Sequence, residues 1–229
     1  MKVKFNRAQT LLTLLLLLPA LPAAASAKSI SDLRLGNVLL GYHLTGGVEA
    51  TGLASGASAS AKDSFAGFTL GLRKQGFRFF GNRARLTWDT SLVLASFESG
   101  LSSPAPGQAW SLEGTLLNIR TGPGIEVRLA DSLLAKLGTG MDTAFLDARL
   151  DARSTSVFSA SSFSSRGRDW HFGGHVDGAL FYVPNHMFSV YAGGGLEHIG
   201  EQTLGERTDQ ATLDLSSNWT LSTGMLFRW

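Results

Sequence analysis

Cysteine is absent from the 229 residues, so the chain holds no disulfide and must be stable through packing and hydrogen bonding alone. Beyond the N-terminal region no apolar run approaches the 18 or so residues that a spanning helix needs, which excludes a helical membrane protein from that point on. A dominant charge of one sign is also missing: 20 Lys and Arg face 18 Asp and Glu. The small basic excess belongs to Lys2, Lys4 and Arg7, and without residues 1–27 the balance is 17 basic against 18 acidic residues. Nothing in that balance calls for a nucleic-acid partner. No internal repeat and no second domain is visible.

What is present begins with a leader pattern. Three basic residues precede Leu11 to Leu18, an apolar run too short to cross a bilayer as a mature helix, and Ala25-Ser26-Ala27 supplies a small-residue cleavage pattern. Residues 1–27 are therefore expected to be a secretory signal peptide, leaving 28–229 as one exported domain of 202 residues. Without a second apolar stretch, that domain can enter a membrane only as a closed β-barrel, because an open sheet edge leaves amides unsatisfied in hydrocarbon.

The end of the chain alternates with period two. Leu213, Leu215, Ser217, Trp219, Leu221, Thr223, Met225, Phe227 and Trp229 are placed on one face, with Asp214 through Arg228 on the other. The same period marks seven further strands, at about 35–45, 64–80, 84–97, 109–129, 133–148, 168–182 and 187–199. Short turns at Gly81-Asn82, Ala130-Asp131-Ser132 and Pro184-Asn185 alternate with long polar loops at 46–63, 98–108, 149–167 and 200–209. Eight strands with alternately short and long links predict an antiparallel, up-and-down, transmembrane barrel, its apolar face outward. A secreted calyx would reverse the faces, and the charged alternates of strands four to six oppose that. Strand seven has no clear register, since Phe188, Val190 and Leu196 compete with Tyr191 and Ile199 around Gly193 to Gly195.

Three segments resemble the small eight-stranded outer-membrane barrels of the OmpX/Ail group and the OmpA membrane domain. They are Thr121-Gly122-Pro123-Gly124 with Arg128-Leu129-Ala130-Asp131 and Leu137-Gly138-Thr139-Gly140, then Gly178-Ala179-Leu180-Phe181 before Pro184, and the terminal Gly224 to Trp229. The resemblance implies a monomer in the outer membrane of a Gram-negative cell, surrounded by lipid and lipopolysaccharide. It also implies that Phe227 and Trp229 act as a signal to the barrel assembly machinery. A structural or surface-interacting role in adhesion or envelope integrity follows by analogy, with an extracellular ligand for the outer loops.

An eight-stranded lumen is filled by side chains. Arg85, Asp89, Arg120, Glu126, Arg128, Lys136, Asp142 and Glu197 are expected to form a salt-bridged plug there. His171, His175 and Asp177 share a face; His175 and Asp177 are neighbours on it, a pairing that could orient a general base or titrate as a lumen switch. That pair carries the rival reading of a lipid A-modifying, deacylase-like enzyme, and an open lumen would carry a second, that of a narrow porin-like channel. No metal site is expected, because His171 and His175 stand too far apart on a strand to chelate one ion, and no cofactor is expected. Trp88, Trp110, Trp170, Tyr182, Trp219, Phe227 and Trp229 read as interface girdles. Arg149, Arg153, Arg166 and Arg168 around the third loop form a basic rim suited to lipopolysaccharide phosphates or an acidic surface.

Overall fold

The computed structural model describes residues 37–54, 57–80, 83–101, 108–155, 160–206 and 209–228. The expected signal peptide at 1–27 and the terminal Trp229 lie outside the described residues. Ten strand segments follow one another: β1 (Asn37–Ala54), β2 (Ala57–Phe79), β3 (Ala84–Leu101), β4 (Gln108–Ala130), β5 (Leu133–Thr155), β6 (Ala160–Tyr182), β7 (Phe188–His198), β8 (Gly200–Glu206), β9 (Asp209–Leu215) and β10 (Asn218–Phe227). Strands β1 to β7 meander, each antiparallel to the one before, and β10 pairs with both β7 and β1. The ring is closed by eight strands. Strands β8 and β9 form a hairpin above it, with β9 laid along the far half of β1.

Three tight connections and both described chain ends gather at one mouth. Asp131 and Ser132 form one turn, and Arg83 donates its amide to the Phe80 carbonyl in another. In the third, the Asn185 side-chain oxygen accepts from the amides of Met187 and Phe188 at 2.9 and 3.1 Å, the local bonding that suits Asn to turns.

The wall is apolar outside and polar inside. Leu40, Tyr42, Phe68, Leu72, Leu86, Trp88, Ile119, Ile125, Leu137, Met141, Trp170, Phe172, Val176, Leu180, Leu196, Trp219, Leu221 and Met225 all face outward and are exposed. His43, Thr69, Arg73, Asn118, Arg120, Glu126, Lys136, Asp142, Glu197 and Thr220 face inward and are buried. A water-soluble barrel has the opposite arrangement; this one suits a lipid solvent. Strand seven resolves with Val190 and Leu196 outward and Tyr191 and Ile199 inward and buried.

Where they are described, the four long links are sheet, which differs from the expectation of loops. Strands β2, β4, β5 and β6 each run 23 residues, about twice the 9–11 that cross a bilayer. In the added length the interior changes character: Val48, Phe65, Phe97, Leu112, Leu116, Leu146, Leu150, Leu204, Leu213 and Leu215 make one buried apolar core. The outward positions there are polar, among them Glu98, Glu113, Arg149, Arg166 and Glu201. This region is a β-platform standing on the barrel.

Three neighbouring strands reach the platform through an extra residue at one level. Strand β1 bulges between Gly46 and Val48, with Gly47 at φ 82°, a left-handed conformation that favours glycine. Strands β7 and β8 part at Ile199, with Gly200 (φ 121°) opening β8, and β9 and β10 part at Ser216 and Ser217. Each odd insertion exchanges the inner and outer faces. Leu213 and Leu215 therefore point into the platform core and do not continue the outward row of Trp219 to Phe227, a correction to the single terminal face expected from alternation.

Candidate functional site

The lumen groups pair largely across neighbouring strands. Arg73 on β2 lies opposite Asp89 on β3 and holds it by two hydrogen bonds, at 2.8 and 2.9 Å. Arg73 also reaches Glu126 at 3.4 Å, while Arg85, directly opposite Glu126, grips the same carboxylate. Lys136 bridges Asp89 at 2.6 Å and Asp177 at 3.4 Å. Arg73 and Glu126 are each only 2% exposed, and the guanidinium stacks 4.5 Å from the centre of the Phe181 ring, itself packed on Tyr191.

A second cluster lies nearer the platform. Arg120 approaches Asp142, its cross-strand partner, at 3.4 Å and Glu197 at 3.7 Å. Asn118 donates to Glu197 at 2.7 Å, and Asp142 meets His175 Nδ1 at 2.9 Å. Gly140 stands opposite His175, and a Cβ there would lie 2.8 Å from the imidazole Cε1, so the glycine leaves the space the ring occupies. Between the clusters a void of about 60 Å³, bordered by His43, Arg73, Arg120 and Lys136, has room for a few waters.

Of the residues that sequence reasoning placed in this lumen, Arg85, Asp89, Arg120, Glu126, Lys136, Asp142 and Glu197 stand together in ion pairs. Arg128 does not join them: it stands exposed at the mouth that carries the tight turns. His175 and Asp177 take separate partners, Asp142 and Lys136, because their side chains lean across β5 instead of along β6. Among the described residues no hydroxyl is hydrogen-bonded to the His175 ring. His171 stands apart, as its spacing implied. Arg73, the residue with the most partners, was missed, although its parity with Gly71 and Thr69, opposite to Phe68, Leu70 and Leu72, places it inside. Phe227 ends β10 against Phe188 and Val38.

Outside, the β5–β6 wall passes from lipid-like to ionic within one rung. Phe145 and Trp170 pack at 5.1 Å as an aromatic pair, and the next pair, Asp147 and Arg168, is charged. Arg166 clamps Asp147 with two bonds of 2.7 and 2.6 Å, and Arg168 adds a third at 3.1 Å. The hydrogen bonds from Arg166 hold the Asp147 carboxyl below the ordinary carboxylate range. Arg149 reaches Asp151 at 3.0 Å, and Arg153 is exposed on the same outer face.

No family model matches the sequence, and no curated protein matches it. Solved structures do. The outer membrane protein OprG from Pseudomonas aeruginosa is 12% identical, with 87% of this chain and 98% of that one covered at a TM-score of 0.51. Ail, the attachment invasion locus protein of Yersinia pestis, is 14% identical over 84% of this chain and 99% of its own, with a TM-score of 0.38. The outer membrane protease OmpT from Escherichia coli is 10% identical over 89% and 99%, with a TM-score of 0.49. At these identities the likeness is one of fold, and the chain has the fold of the small outer-membrane β-barrels.

Proposed function

We propose that this protein is a closed barrel in the outer membrane that holds a β-platform outside the cell for surface interaction, in adhesion or envelope integrity, and that it neither conducts nor catalyses. The observation that carries this reading is the change of the interior from paired ions to an apolar core part-way along continuous strands. The ion-paired half is a plug and an anchor; the apolar half is a self-supporting structure designed for water outside it. The mouth with the tight turns then faces the periplasm, in keeping with short periplasmic turns in such barrels. Export through a leader cleaved after Ala27, and assembly as a monomer directed by Phe227 and Trp229, complete the reading.

The basic rim has a partner in this scheme. Arg168 and Arg166 sit two and four residues from Trp170, roughly 7–13 Å along the strand, the level at which lipopolysaccharide phosphates would lie. Arginine forks suit phosphate oxygens. The decisive experiment trims the platform by replacing residues 151–162 with a short turn. Cells carrying the trimmed protein are expected to keep a heat-modifiable barrel and lose surface binding to matrix or host cells; binding that persists at the parent level would overturn the platform's role. Stepwise conductance of the parent protein in planar bilayers would overturn the plug.

A further inference from the structure

The mouth that carries the tight turns holds a cavity of about 380 Å³ lined by Arg78, Arg83, Arg85, Arg128 and Arg228, with His186 beside them. Among the described residues two carboxylates, Glu126 and Asp131, face these five arginines, an excess there of three positive side-chain charges. Glu126 is already held by Arg73 and Arg85. Among the described residues Arg78, Arg83, Arg128 and Arg228 have no carboxylate partner.

The local structure gathers the charge instead of spreading it. Alternation from Arg73 and Gln75 would place position 78 on the lipid side. A bulge between Gln75 and Arg78 turns Arg78 inward instead, directly opposite Arg85. Like charges facing each other across two strands are destabilising unless an anion lies between them. Arg128 is tied to the same corner by its amide, which donates to the Arg83 carbonyl at 2.8 Å, and Arg228 is fixed by its donation to Ser189 Oγ at 3.1 Å. Several guanidinium forks therefore converge on one space.

We propose that this mouth is a binding site for a multivalent phosphate, a pyrophosphate or clustered phosphomonoester, carried by a soluble molecule or by a phospholipid headgroup. A single carboxylate would leave most of the excess charge unbalanced, whereas two phosphoryl groups match it and present oxygens to several forks at once. The site rests on these residues and not on the orientation of the barrel.

The test titrates inorganic pyrophosphate into the purified protein in non-ionic detergent, with orthophosphate and succinate as comparisons. Saturable pyrophosphate binding, weaker with orthophosphate and absent with succinate, is expected. In R78Q/R128Q the affinity should fall by at least about tenfold, the usual scale for losing hydrogen bonds to a charged group, while heat-modifiable migration is kept. R83Q, in a turn outside the sheet, supplies the same reading should the double variant fail to fold. No saturable binding by the parent, unchanged binding in the variants, or succinate binding as tightly as pyrophosphate would each overturn the site. Nanodiscs separate the two sources: pyrophosphate binding abolished by a lipid with a bisphosphorylated inositol headgroup and kept in phosphatidylcholine identifies a headgroup, and binding kept in both identifies a soluble anion.

Discussion

Replacing Arg73 with methionine tests what holds the lumen together. Methionine keeps most of the stem packed on Phe181 and removes only the guanidinium, which is 2% exposed and bonded to Asp89 and Glu126. Removing one partner from a buried ion pair costs about 3–5 kcal/mol. Here neither carboxylate is left alone, because Asp89 keeps Lys136 and Glu126 keeps Arg85. What changes is the balance: Arg73, Arg85 and Lys136 face Asp89, Glu126 and Asp177, and the loss of Arg73 leaves one net negative charge inside the wall. The expected cost is therefore at the lower end, about 3 kcal/mol, or roughly a hundredfold in the folding equilibrium. Adding Glu126→Gln restores neutrality, with two cations against two carboxylates, and should recover about half of that loss. Urea unfolding in lipid vesicles, followed by tryptophan fluorescence and by heat-modifiable migration, reads both variants. A cost below about 1 kcal/mol for R73M, or a double variant as unstable as the sum of the singles, would refute the reasoning that paired charge stabilises this interior.

Three further outcomes follow from the outer half. Phe97 stacks on Phe65 at 4.2 Å inside the platform core, so Phe97→Ala is expected to cost about 3–5 kcal/mol locally. Limited proteolysis should then cut the platform while the barrel band survives, and cleavage no faster than in the parent would count against a separate core. Asp147→Asn removes the charge and one of the two oxygens that accept from Arg166 and Arg168, expected to cost about 1 kcal/mol at neutral pH. Because the folded Asp147 carboxyl titrates below its ordinary value, its contribution is complete above that value and is lost as pH falls through the depressed one; the gap between parent and D147N in unfolding experiments should close only below about pH 4. Gly46 lies under the Trp219 indole, and a side chain there would displace the ring, so Gly46→Val should change tryptophan emission and destabilise the β1–β10 junction by about 1–3 kcal/mol; an unchanged spectrum would show that the ring does not cover the glycine.

The membrane half of this architecture was legible because each outward row, such as Leu117, Ile119, Ile125, Val127 and Leu129, repeats strictly with period two. The platform was hidden by its composition. Its strands use Ala, Gly and Ser between the apolar residues, which reads as loop, and they carry their apolar set on the face that is charged lower down. Ser216 and Ser217 add one odd step that no periodicity reveals, and that step moved Leu213 and Leu215 to the wrong side. In the site, cross-strand neighbours decide the pairs. Arg73 with Asp89, Arg85 with Glu126 and Arg120 with Asp142 become evident only once the register is known. The same applies to His175, whose partner comes from β5 and not from its own strand.

The two interiors follow from two solvents. Where lipid surrounds the wall, moving a leucine from outside to inside gains nothing, because hydrocarbon is as apolar as a protein core. The outward positions take the apolar residues, and the lumen must be filled with groups that attract one another: long cations laid against Asp89, Glu126, Asp142 and Glu197. Where water surrounds the wall, burial of apolar surface again drives folding, and the inward positions become Phe65, Leu112, Leu146 and Leu213. Strands β2 to β6 make this exchange by a change of residue types along one parity, as in β4, where Leu112 and Leu116 share a face with Asn118 and Arg120. The three bulged crossings make it with an extra residue as well. The level of the bulges, between Thr45 and Val48 on β1 and between Leu215 and Asn218 before β10, therefore marks the membrane boundary from inside the barrel, as Phe145 and Trp170 mark it from outside.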